Sequence, residues 1–165
     1  MTECKYTVYH IGVHARDALE PEKVELEKVG ARQIVIPRLE TDQEMLDQIG
    51  SSDELKGADA LIIVDSPVSR QFMEQLRNCK AILRTGVGVD VIDVKSATDL
   101  GIAVINVPDL WIREVANHAL ALTLALNRRL FKLFDIVRSG KWVPIIPPPV
   151  GCLHGEVLGI VGLGQ

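Results

Sequence analysis

Cysteine is scarce in this chain: Cys4, Cys79 and Cys152 are its only three, far apart and in no C-x-x-C arrangement. An odd, scattered set offers no disulfide framework and points to reduced thiols in a cytoplasmic protein. There is no block of lysine or arginine, and the formal net charge is −4. Nucleic acid and anionic membrane surfaces are therefore poor candidate partners. No charged-then-apolar leader opens the chain, since Met1-Thr2-Glu3-Cys4-Lys5 leads straight into alternating polar and apolar residues. The longest apolar run beside a helix, Ala119 to Leu126, is far short of a bilayer span and is bracketed by His118 and Arg128-Arg129. His10, His14, His118 and His154 have neither H-E-x-x-H nor clustered ligand spacing, which argues against a metal site. With no G-x-S-x-G and no Cys/His nucleophile pattern, hydrolase chemistry has no support. No internal repeat is present.

What the chain does have is 47% hydrophobic residues over 165 positions, enough for one cored domain or for one domain and part of another. Strand patterns fall at Tyr6–Ile11, Gln33–Ile36, Ala60–Val64, Ala81–Arg84 and Ile102–Val107. Helix patterns fall between them: Pro21 to Val29 with Gly30 as stop, Thr41 to about Ile49, Ser69 to Arg77, and a short helix capped by Asp93 and ended by Gly101. Thr41-Asp42-Gln43-Glu44 has the form of a capping box. Ser51 to Asp59 reads as a polar connection. Strands alternating with helices of about ten residues predict βαβ units and a doubly wound parallel sheet. After Pro108 the pattern changes. Trp111 to Val137 reads as one long helix, apolar nearly all round in its middle, to be covered on several sides by a second domain or subunit. Lys141 to Gly155, with Pro144, Pro147, Pro148 and Pro149, reads as a connecting segment, and Val157–Val161 as a new strand.

Two loops are placed to carry chemistry. Ala81-Ile82-Leu83 runs into Arg84-Thr85-Gly86-Val87-Gly88, where glycines permit close backbone approach and free amides can form an anion-binding concavity. Arg84 at the strand end could add a planar two-pronged grip on a carboxylate. The plainer alternative is that the glycines only make the turn and that Arg84 pairs with Asp90 or Asp93. Gly162-x-Gly164 after a strand is the first half of a dinucleotide-binding turn, in which a pyrophosphate rests on a helix N-terminus. Asp65, at the end of the third strand, also admits a phospho-accepting receiver domain. That chemistry needs acids after the first strand to hold Mg²⁺, and Ile11 to Ala15 contains none, so Asp65 reads instead as the start of the turn Asp65-Ser66-Pro67. His118 reads as a hydrogen-bonded packing residue rather than a general base.

Four ordered stretches carry a family resemblance: Arg84 to Asp93, Ala97 to Pro108, Glu114 to Leu122, and Gly155 to Gly164. In these the chain resembles the N-terminal half of the NAD-dependent D-2-hydroxyacid dehydrogenases, of the phosphoglycerate dehydrogenase and C-terminal-binding-protein kind. The resemblance implies a flavodoxin-like substrate domain over residues 1–107, then an interdomain helix and the start of a Rossmann-type NAD-binding domain over 108–165. It implies that Val87 and Gly88 bind a substrate carboxylate through their amides and that Arg84 approaches the substrate. It further implies that Val87 lies beside the nicotinamide end of NAD, with Gly162, Gly164 and Gln165 on the pyrophosphate turn. Many members carry a hydroxyl residue where this chain has Val87, which can offer only its main chain. The catalytic arginine, glutamate and histidine of the family fall beyond residue 165, so this stretch is expected to be inactive alone. Its substrate would be a small 2-hydroxy or 2-oxo acid such as 3-phosphoglycerate. A non-catalytic module that dimerises through Ile112–Leu133 is the alternative, because an uncovered apolar helix drives association.

Overall fold

Strands covered on both faces need apolar residues at consecutive positions, and the central strands of this chain have them. The computed structural model describes residues 4–13, 19–142 and 150–162. Its chain divides into two compact units, Met1–Leu110 and Trp111–Gln165.

The first unit holds β1 (Tyr6–Val13), α1 (Glu20–Lys28), β2 (Ala31–Pro37), α2 (Asp42–Ser51), α3 (Asp53–Lys56), β3 (Ala60–Ile63), α4 (Arg70–Met73), β4 (Ala81–Arg84), α5 (Val94–Asp99) and β5 (Ala103–Ile105). The five strands form one sheet in the order β2-β1-β3-β4-β5, every pair parallel. The order reverses between β1 and β3, which places the switch point of a doubly wound sheet beside the carboxyl end of β3. Because side chains alternate across a strand, Tyr9, Ile11, Leu61, Ile63 and Ile82 share one buried face with Met45, Ile49, Leu55, Phe72 and Met73 of the helices. The opposite face buries Val8, Ile62 and Ala31, with Leu26 and Leu83 packed against them.

Helix α1 buries none of its residues fully. Besides the half-buried Leu26 it is tied to the sheet by polar contacts: the buried His10 meets Glu22 at 2.8 Å through Nδ1, and the Gln33 amide also donates to Glu22. The buried Cys79 donates weakly to the Ala81 carbonyl at 3.4 Å, and burial pushes its thiol up to about 11. At pH 8 such a thiol is ionised in roughly one molecule in a thousand, and the thiolate is the nucleophile. Alkylation of the native chain is therefore expected to label the exposed Cys4 and Cys152 and spare Cys79 until denaturant is added. Mass spectrometry after a timed quench with iodoacetamide reads this directly, and rapid native labelling of Cys79 would contradict it.

Several elements differ from the sequence expectation for local reasons. The helix predicted over Ser69–Arg77 is a single turn capped by the Ser69 hydroxyl, which accepts from the Phe72 amide at 3.3 Å. Beyond it the chain tightens into i→i−3 bonds, and the Arg77 amide goes to the Lys56 carbonyl at 2.7 Å. The polar connection 51–59 contains α3, a turn stabilised by the Ser52 cap and by the fully buried Leu55. Helix α2 runs through Gly50 to Ser51, one turn's edge further than predicted.

In the second unit the long helix is two, α6 (Ile112–Asn127) and α7 (Leu130–Arg138). The break lies at Arg129, whose φ of 51° is left-handed and cannot continue a right-handed helix. Neither helix has a buried residue, so no cover is seen over them among the described residues, and His118 is exposed rather than packed. Val157–Val161 is not a strand and its side chains are exposed. A strand needs neighbours to take its N–H and C=O groups, and the second unit offers none among its described residues. The prolines at 144 and 147–149 lie outside the described residues. No helix among the described residues is long and apolar enough to cross a membrane.

Candidate functional site

The carboxyl ends of β3 and β4 lie side by side, with Ile63 opposite Arg84 in register. The chain leaves β4 through Thr85, whose amide continues the ladder by donating to the Ile63 carbonyl at 3.0 Å. From Gly86 onward the loop's two kinds of polar group part company. Its carbonyls are used: Val107 N–H donates to the Gly86 oxygen at 3.0 Å, and the Asn106 side-chain amide donates to the Val87 oxygen at 2.7 Å. Its amides are not. Among the described residues the N–H groups of Val87 and Gly88 have no hydrogen-bond partner, and both residues are exposed. With the carbonyls anchored just past β5, the loop keeps two adjacent unpaired donors on exposed residues, a combination suited to an anion.

Arg84 folds back against this loop. A Cβ placed on Gly86 would lie 2.2 Å from Arg84 Nη1, so the guanidinium rests on the bare backbone of a buried glycine. Its partner is neither Asp90 nor Asp93 but Asp65, with Nη2 to Oδ1 at 3.4 Å. Its Nε is buried and has no partner. Asp93 is engaged elsewhere: it caps α5 by accepting from the Ser96 amide at 2.9 Å and from the Ser96 hydroxyl at 2.6 Å. Those bonds, the hydroxyl's foremost, hold its carboxyl below the ordinary carboxylate range. Asp65 reaches the site because the turn after β3 packs tightly on β1: a Cβ on Gly12, whose φ is +101°, would lie 3.1 Å from the Val64 Cβ.

The sequence reading singled out Arg84, Val87 and Gly88, which the fold brings into one loop. It gave Asp65 only a turn or a phospho-acceptor role and Asn106 none. Both stand just past a strand on the same sheet edge as Arg84, and that shared edge was the available signal. On the coenzyme side Gly162 has φ +85°, a conformation that favours glycine, while Gly164 and Gln165 lie outside the described residues.

These features define a class: a doubly wound α/β domain with an anion-receptive loop at the carboxyl edge of its sheet, beside the switch point. Residues 15–143 match the profile of the D-isomer specific 2-hydroxyacid dehydrogenase catalytic domain, and the chain belongs to that family. It is 35% identical over 141 residues to a D-3-phosphoglycerate dehydrogenase of Methanocaldococcus jannaschii, covering 85% of this chain and 25% of that one. It is 36% identical over 121 residues to a glyoxylate reductase of Thermococcus litoralis, covering 68% of this chain and 36% of the relative. The chain thus spans between a quarter and about a third of the length of these curated relatives. Among solved structures, the D-lactate dehydrogenase of Aquifex aeolicus, complexed with NAD and lactic acid, superposes with a TM-score of 0.71 at 20% identity, covering 89% of this chain and 41% of that one. At that identity the likeness speaks for the fold alone.

Proposed function

We propose that the loop 84–88 binds the carboxylate of a small 2-hydroxy or 2-oxo acid, and that the chain forms the acid-binding side of an NAD-dependent D-2-hydroxyacid dehydrogenase. The observation that carries this reading is the asymmetry of the loop: the carbonyls of Gly86 and Val87 are bonded, while the amides of Val87 and Gly88 are free. Two adjacent unpaired N–H groups can donate to a carboxylate, and the Arg84 guanidinium beside Gly86 adds positive charge to the same loop. The coenzyme proposed for the whole protein is NAD, with Val87, Gly162, Gly164 and Gln165 the residues that the family resemblance assigns to it. A reducing compartment, the cytoplasm, suits the three free cysteines. The test is a titration of the ¹⁵N-labelled chain with glyoxylate and with D-lactate. The Val87 and Gly88 amide resonances are expected to move saturably at millimolar acid; unchanged resonances at both positions count against the reading.

A second reading, self-association through α6 and α7, is favoured by one specific observation. Val115, Leu120, Leu124 and Leu126 on α6, and Phe131 and Phe134 on α7, are all exposed, an unusual density of large apolar side chains at a surface. We propose that these helices meet a second copy in a homodimer. Sedimentation velocity over a hundredfold concentration range is expected to give a dimer whose population falls on dilution, and Leu124→Glu should shift it to monomer. A monodisperse monomer throughout removes the proposal.

A further inference from the structure

We propose that Asp65 is a specificity-determining residue that fits the loop to short acids carrying a single negative charge and disfavours acids that also bear a phosphate. The inference rests on the acid-binding reading above and names the substrate class of that site.

It starts from a count of charges at the loop. Among the described residues Arg84 is the cation placed against it, and its side chain is only 18% exposed. That charge is already shared, because Asp65 Oδ1 lies 3.4 Å from Nη2. The contact is single rather than bidentate, so Asp65 neutralises the guanidinium without occupying both of its prongs. A second carboxylate stands at the far end of the loop: Asp90 Oδ2 would be 2.9 Å from a Cβ placed on Gly88. Among the described residues Asp90 has no cation within ion-pair distance. The other arginines of this edge do not redress the balance. Arg70 is engaged by Glu74 at 2.8 Å and by Asp99 at 3.3 Å, and Arg38 at the end of β2 forms no ion pair with Asp65 or Asp90. Among the described residues the loop therefore presents two free amides, one guanidinium and two carboxylates.

For a monoanion this is an adequate site. Its carboxylate takes the amides of Val87 and Gly88 and a share of Arg84, and the rest of the molecule is neutral. A phosphate on a three-carbon acid adds about 1.5 to 2 further negative charges. Held in the same loop as Asp65 and Asp90 it would be repelled by both carboxylates, and physiological salt screens such repulsion only beyond roughly 8 Å. Arg84 cannot offset it, since its charge is already matched. The same domain with an uncharged residue at position 65 would leave the guanidinium free to receive a second anionic group. On this argument position 65 separates the two substrate types.

The experiment compares glyoxylate with D-3-phosphoglycerate on the full chain, by chemical-shift titration of the Val87 and Gly88 amides, for the native protein and for Asp65→Asn. Asparagine keeps the size and the turn and removes the charge. The native chain is expected to bind glyoxylate about tenfold or more tightly than phosphoglycerate, a ratio worth about 1.4 kcal/mol. In Asp65→Asn that ratio should shrink about tenfold, mostly through a gain in phosphoglycerate affinity. Salt provides a readout without mutation: discrimination by the native chain should narrow as ionic strength rises from about 0.01 M to about 1 M, where the Debye length falls from roughly 30 to 3 Å. If both acids move the amides with equal affinity, or the ratio is unaltered by Asp65→Asn and by salt, the inference is overturned while the acid-binding reading stands. If neither acid moves them, both fall together.

Discussion

Gly86→Ala is expected to weaken binding of a small 2-oxo acid about tenfold or more while leaving the fold standing, a separation that few loop substitutions achieve. The added methyl would lie 2.2 Å from Nη1, 2.8 Å from Cζ and 3.2 Å from Nη2 of Arg84, so the whole guanidinium must leave. It can leave at little cost, because what obstructs the methyl is the far end of a flexible side chain and not the backbone. Gly86 is not among the residues of positive φ, so alanine meets no conformational penalty there. The loss falls on the site: the Asp65 contact breaks, and the positive charge behind the two free amides is displaced. A hydrogen bond to a charged group is worth about 1.5–3 kcal/mol, and a tenfold change in affinity needs only 1.4. Because both changes act through one guanidinium, Gly86→Ala combined with Arg84→Ala should bind no more weakly than Arg84→Ala alone. Calorimetric or NMR titration of the three variants measures this. Native affinity in Gly86→Ala would mean that Arg84 does not serve the loop.

The largest loss of stability is expected from Phe72→Ala. Phe72 is fully buried, yet it sits on α4, a helix of one turn. An isolated turn has too few hydrogen bonds to offset its nucleation cost, so α4 persists because Phe72 and Met73 are buried against the sheet and Ser69 caps it. Truncating a buried phenylalanine to alanine costs about 3–5 kcal/mol. Domains of this kind are stable by about 5–15 kcal/mol, so the variant should stand near its unfolding threshold. Urea unfolding followed by circular dichroism should show a lower midpoint at an unchanged slope. Val24→Ala, on the exposed face of α1, should stay within about 0.5 kcal/mol of the native chain by the same measurement. A cost below about 1 kcal/mol for Phe72→Ala would show that the site beneath α4 can collapse around the gap.

Legibility in the sequence followed the range of the interactions involved. The strand Ala81–Arg84 and the Asp93 cap appear where the residues put them, because an apolar run and a side chain three positions before its amide partner are local facts. The Thr41 cap is of the same kind, although Glu44 accepts from the Glu40 amide rather than closing the box on Thr41. The turns α3 and α4 were misread for one reason. Each is settled by a single buried side chain and by hydrogen bonds to distant segments, such as the Arg77 amide on Lys56. The break at Arg129 has no marker in composition, since neither glycine nor proline stands there.

By itself the sequence determined the alternation of strands and helices, the family, and the loop in which Gly86 and Gly88 follow Arg84. These depend on residue type and spacing along the chain. Only the tertiary structure decided that Arg84 pairs with Asp65, 19 residues earlier, and that Asn106 takes the Val87 carbonyl, leaving the neighbouring amides free. Charge partners and anchored carbonyls come from strands that are adjacent in the sheet and distant in the chain. It also decided that Val157–Val161 forms no strand, because a strand exists only where another supplies its hydrogen bonds.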